Sequence, residues 1–175
     1  MLVIRMNDGA AAGLGVLAGA GFAMPSGGLS AGLRAMVVDG IELREQVVVW
    51  NGGALWAAPP PGNFGDLTGW ECFVNSFHLE DLVPVDVALS EEGEPSIGEV
   101  DQVVLLRHGV AFALEICRLV ADMEDPIPVR CIVSTNRTNG TFRFHKIRDG
   151  QSGVYENLDV YREEKVAVVD FQPAG

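Results

Sequence analysis

Between Leu33 and Ala58 the chain reads LRAMVVDGIELREQVVVWNGGALWAA, two β-rich runs that flank Asp39-Gly40 and lead into Asn51-Gly52-Gly53. Asp-Gly and Asn-Gly readily take the positive φ angles of a tight hairpin turn, and Val, Ile and Trp suit a pleated, half-buried surface. The spacing predicts a three-stranded antiparallel meander over 33–58. Strands that follow one another through tight turns leave no room for the crossover helices of alternating βαβ units.

VRCIVSTNRTNGTFRFHKIR predicts a second hairpin. Its loop reads as Asn139-Gly140 or as Arg137 to Gly140; the two registers differ by two residues, so side chains keep their faces. Cys131, Val133, Thr135, Phe142 and Phe144 then share a core face. Arg130, Ser134, Asn136, Arg143 and His145 share the other, together with Ile132 and Ile147. LVIRM (Leu2 to Met6) and EKVAVVDFQP read as the first and last strands. Within WECFVNSFHLEDLVPVDVAL, Trp70, Phe73, Val74 and Phe77 fit a helical face and LVPVDVAL reads as extended.

Between these strands, Ser96 and Glu99 have the spacing of a capping box, and a helix over about 97–122 follows, ended by MEDPIP. Val100, Val103, Val104, Val110, Ala111, Leu114, Cys117 and Ala121 make one stripe, but Leu105, Leu106, Phe112, Ile116 and Leu119 lie off it. Apolar on more than one side, this helix is expected to be central. Gly109 argues against an unbroken helix, the alternative being a strand before it and a helix after it. The expected fold class is α+β, an antiparallel meander and hairpin sheet packed on one long central helix.

GAAAGLGVLAGAGFAMPSGG, Gly9 to Gly28, is the most motif-like segment. Gly13 to Ala18 matches a dinucleotide-binding glycine pattern, but that pattern works only at an immediate strand-to-helix junction. Here the strand ends well before Gly13, Pro25 would cut the helix short, and no G-K-[ST] follows for a phosphate loop. Fifteen residues from Ala10 to Met24 fall short of the roughly 20 that a membrane-spanning helix needs. Arg5 ahead of an apolar run resembles an export signal, against which stand Asp8 and a glycine content where leucine is usual. At this glycine density an isolated helix is costly in backbone entropy. Residues 1–32 are therefore expected to form a strand plus a Gly/Ala-rich arm, able to dock on a second copy, and 33–175 a single α+β domain.

Charge is unevenly placed. The net charge is −12; residues 66–125 carry two basic and fourteen acidic side chains, and residues 126–150 carry five basic and one. Concentrated acid repels nucleic acid and anionic lipid and attracts basic protein. Glu80, Asp81, Glu91, Glu92, Glu94, Asp122, Glu124 and Asp125 are the expected partner-binding acids, with Trp70 and Phe77 as aromatic anchors. Acids near a helix start suit its dipole, whereas Asp122, Glu124 and Asp125 at its end oppose it. Arg130, Ser134, Arg143 and His145 form a basic hairpin face suited to an anionic small molecule or to acid–base chemistry. Cys131 and His145 point to opposite faces, so they make no catalytic pair. The histidines His78 and His108 are isolated, and Cys72, Cys117 and Cys131 lack zinc-site or disulfide spacing. No metal or cofactor is expected, and a reducing, cytoplasmic compartment is.

The leading functional expectation is thus a non-enzymatic acidic binding protein of the inhibitor or immunity type, covering a basic partner such as a nuclease toxin. The alternatives are a small enzyme or ligand-binding domain built on Arg143 and His145, and a subunit of a larger assembly.

Overall fold

A computed structural model describes residues 1–15, 24–51, 64–90 and 93–173. Nine strands and four α-helices are described. They are β1 (Leu2–Met6), α1 (Asp8–Leu14), α2 (Ala31–Asp39), β2 (Ile41–Arg44), β3 (Val47–Trp50), α3 (Leu67–Val74), β4 (Phe77–His78), β5 (Val87–Leu89), β6 (Pro95–Ile97), α4 (Glu99–Ala121), β7 (Val129–Thr135), β8 (Gly140–Lys146) and β9 (Lys165–Phe171). Five strands form one antiparallel sheet in the order β1-β9-β7-β8-β4, and β2-β3 and β5-β6 are separate two-stranded hairpins. The molecule is α+β, with the long helix α4 packed on the five-stranded sheet.

The sheet is covered on both faces. On one side Leu105, Val110, Phe112, Ile116 and Val120 of α4 meet Val129, Cys131, Val133, Phe142 and Phe144 in the main core. Trp50 stacks on Phe112 with ring centroids 5.8 Å apart and meets Phe144 edge-on at 4.8 Å. Gly109, which weakened the helix on propensity alone, is explained by this contact. A Cβ there would lie 2.4 Å from Val133 Cγ1, so the close approach of α4 to β7 requires the missing side chain. On the other side Ile132, Val166 and Val168 are covered by Val154, Leu158 and Tyr161 from the connection between β8 and β9.

The β7–β8 hairpin pairs Cys131 with Phe144 and Val133 with Phe142, and every expected core-face residue is buried. Its loop is Asn136–Asn139, closed by the Thr135–Gly140 pair, with Asn136 Oδ1 accepting from Thr138 N and Asn139 N. That register lies two residues from the four-residue alternative and four from the two-residue one; both shifts are even, which is why the faces survive.

Three expectations need correction. The first run of the predicted meander is the helix α2, not a strand: Ser30 Oγ accepts from Leu33 N at its start, and Gly40, at φ 78°, ends it by donating to Met36 O. Asp39-Gly40 is thus a helix terminus, the hairpin is β2–β3 alone, and its turn falls at Glu45-Gln46, with Glu45 at φ 54°. The capping box is not made either, because Ser96 lies in β6 opposite Ala88 and the N-cap of α4 is Gly98. Glu99 instead pairs with Lys165 Nζ at 2.9 Å.

The described start of the Gly/Ala arm is the helix α1, with Ala10 and Leu14 buried in the main core. Asn7 explains how a glycine-rich segment holds helix. Its Oδ1 accepts from Ala10 N and from Val166 N, both at 3.0 Å, and its Nδ2 donates to Tyr161 O and Glu164 O. The helix is not isolated, so the entropy argument against it fails. Residues 16–23 of the expected arm lie outside the described residues, as do Gly52, Gly53, Glu91 and Glu92.

Candidate functional site

The acids that the sequence grouped do not share one surface. Helix α4 is 23 residues long, about 35 Å at 1.5 Å per residue. Glu94 lies just before its start, and Asp122, Glu124 and Asp125 follow its end. Asp122 also pairs with Arg118 at 3.0 Å. Glu80 is taken up internally, its Oε2 accepting from Gly140 N at 2.9 Å and its Oε1 facing His78 Nδ1 at 3.4 Å. Trp70 is 4% exposed and packs with Val49 and Val74, and Phe77 belongs to the aromatic cluster around Trp50. Neither ring is placed to anchor a partner; the exposed aromatic of α3 is Phe73, beside Phe64.

One acidic surface does survive. In the β5–β6 hairpin, Val87 is 44% and Leu89 74% exposed, and Asp86 and Glu94, which adjoin its two strands, are exposed too, as is Asp81 five residues ahead of Asp86. From Asp66 to Leu106 the chain contains ten acidic residues and neither lysine nor arginine. Apolar contact residues rimmed by one sign of charge are the arrangement that steers and then holds a partner of opposite charge.

The basic hairpin face is real in register and altered in chemistry. Arg130 forms a bidentate pair with Asp170, Nε to Oδ1 at 2.7 Å and Nη2 to Oδ2 at 2.8 Å. Ser134 and Thr141 bond to each other across the strands. His145 is 1% exposed. Its Nδ1 lies 2.9 Å from Lys146 O, and a carbonyl only accepts, so Nδ1 carries the proton. Burial, aided by the charges of Arg130 and Arg148, lowers the imidazole pKa to about 4, and the ring is neutral near pH 7. Its Nε2 is buried without a hydrogen-bond partner, as is Arg143 Nε.

A residue the sequence did not nominate completes this cluster. Cys72, on α3, reaches the same space: a Cβ on Gly153 would lie 2.6 Å from Cys72 Sγ and 3.2 Å from His145 Nε2. Arg143 Nη2 donates to Gly153 O at 3.3 Å. Burial raises the Cys72 thiol to about 11, with Arg143 acting in the opposite direction. In sequence, Cys72 is a lone cysteine separated from the hairpin by β4, β5, β6 and α4. Only the packing of α3 against β8 brings the thiol and the imidazole together.

Next to it, Glu71 and Arg148 form a buried ion pair. Glu71 is fully buried and accepts from Arg148 Nη1 at 2.6 Å and Nη2 at 2.9 Å, from Val48 N at 2.7 Å and from Lys146 N at 3.0 Å. Both of its oxygens are used, so its role is to tie α3 to β3 and β8. A separate cleft of about 410 Å³ runs along α4 between Val100, Val103, Arg107 and the Pro25–Ser26 segment. Of the acids considered, it involves only Glu99.

Among the described residues, no group of three or more His, Cys, Asp or Glu side chains is gathered for a metal ion, and no helix is long and apolar enough to cross a membrane. The model of the Uncharacterized protein PM0498 family matches residues 22–174, and the chain belongs to that family. No curated protein and no solved structure matches it.

Proposed function

We propose that this member of the PM0498 family is a non-enzymatic binding protein of the inhibitor or immunity type, which covers a basic surface of another protein with its β5–β6 hairpin. The observation that carries the reading is the exposure of Leu89 and Val87 in a hairpin flanked by exposed Asp86 and Glu94, in a stretch with neither lysine nor arginine. Exposed apolar groups supply the contact energy of an interface, and the uniform charge around them sets on-rate and partner choice. The acids at the far end of α4 lie outside this surface and are assigned no part in it. A cytoplasmic setting belongs to the same proposal, in keeping with three unpaired cysteines.

Photo-crosslinking from position 89 in the source cell tests the reading, with Asp86→Lys/Glu94→Lys compared against Asp122→Lys/Glu124→Lys. The hairpin reversal should abolish crosslinking to a basic protein, and added salt should weaken it, because a Debye length of about 10 Å at 0.1 M screens exposed charges. The helix-end reversal should leave it intact. Equal loss in both variants, or none in either, would sink the assignment of the hairpin.

A further inference from the structure

Cys72, His145, Gly153 and Arg143 make a cluster that partner binding does not use. The polarity of His145 restricts its occupant. Because Nδ1 carries the proton, Nε2 presents a bare lone pair, which repels an oxyanion and attracts an electron-pair acceptor. The second donor aimed at the same space is a thiol, the softest ligand a protein side chain offers. An imidazole held through its other nitrogen by a backbone carbonyl is also how metal-binding histidines are oriented. The lone pair is buried and unpartnered, a condition that in folded proteins calls for an explanation.

We propose that Cys72 Sγ and His145 Nε2 bind a soft monovalent cation of the Cu(I) class as a two-donor site. On binding, the Cys72 S–H bond breaks and its proton leaves to solvent; a sulfur–metal bond forms, and Nε2 donates its lone pair to the same ion. The imidazole keeps its Nδ1 proton on Lys146 O. No electron is transferred, and one cation replaces one proton. Charge selects the valence: a thiolate and a monovalent ion sum to zero, whereas a divalent ion would leave a net positive charge next to Arg143. Arg130 adds no uncompensated charge, since Asp170 holds it. Two donors suffice for a d10 monovalent ion, while zinc calls for four. Gly153 admits the ion because it presents only hydrogen to both donor atoms.

The test is an anaerobic titration of the full chain with Cu(I) against a chromogenic Cu(I) chelator. One ion per chain and about one proton released per ion are expected. Cys72→Ser should remove binding, and His145→Gln should weaken it at least tenfold. Gly153→Ala, a loop change that spares the core, should weaken it as well, by placing a methyl group against both donors. Cys117→Ala should bind as the native chain does, because Cys117 and Cys131 lie against each other inside the core. Failure of the native chain to compete with the chelator would overturn the proposal. So would binding that survives Cys72→Ser, which would assign the ion to the core thiols. The Asp86→Lys/Glu94→Lys variant should bind Cu(I) normally, so this result and that of the partner experiment fail independently.

Discussion

Glu71 of α3 and His145 of β8 illustrate two ways of burying an ionisable group. Glu71 is paired, with both of its oxygens satisfied by Arg148 and two backbone amides. Removing one partner of such a pair leaves the other uncompensated, at a cost of about 3–5 kcal/mol. Arg148→Met is therefore expected to lower unfolding free energy by that order in urea titrations, without changing the fold of what remains native. His145 takes the other course and gives up its charge. In the unfolded chain it gains a proton below its ordinary value of 6.5, but in the fold only below about 4. Between those values the unfolded state binds more protons, so stability falls as pH falls. Its contribution is fully present above pH 6.5 and declines by roughly 3 kcal/mol on acidification to pH 4. The difference in stability between the native chain and His145→Gln, followed by denaturant melts across this range, should shrink by that order; a constant difference would mean that His145 is not buried neutral.

At the level of elements, α1 and α2 show what the residues alone conceal. MVVD in α2 has the β-branched content of a strand, and only Ser30 and Gly40, one at each end, mark it as helix; the same Gly40 was legible as a hairpin turn because a left-handed glycine serves both. The β7–β8 hairpin was legible because its alternation spans seven residues in each strand, and a shift of two leaves the faces alone. Helix α4 was legible from its apolar breadth, although its cap was not. Long-range partners were hidden altogether: nothing near Cys72 in sequence announces His145, and nothing near Asn7 announces Val166. Asn7 is the clearest case to test, since one side chain caps α1 and closes three backbone groups of the segment leading into β9. Asn7→Ala should destabilise by about 2–3 kcal/mol, more than the ~1 kcal/mol of an ordinary cap, because buried backbone groups lose their partner as well. Gly109→Ala carries the opposite lesson. It improves helix propensity by about 1 kcal/mol, yet it forces a methyl group into Val133 and overpacks the core at a cost of about 1–3 kcal/mol. A net loss in thermal melts is expected.

For the whole molecule, the decisive relation is between the two ends of the sequence. β9 is the last strand and lies inside the sheet, with β7 on one side and β1 on the other. The family match begins at residue 22, so β1 and α1 lie ahead of it, yet they complete the sheet edge and bury Ala10 and Leu14. If 1–15 were only an appendage, deleting it would leave β2 through β9 unaffected. The pairing predicts otherwise: β9 would expose five residues of unpaired backbone from Ala167 to Phe171, and the Asn7 bonds to Tyr161, Glu164 and Val166 would be lost at once. An open strand rich in valine is a template for association with other chains. The chain lacking residues 1–15 is therefore expected to unfold at lower urea concentration and to scatter light at concentrations where the full chain is clear. Adding a synthetic peptide of residues 1–15 in excess should reverse both effects, because it restores the missing strand and helix. Rescue by the peptide separates loss of a specific edge from general damage, since a chain merely weakened elsewhere would not respond to it.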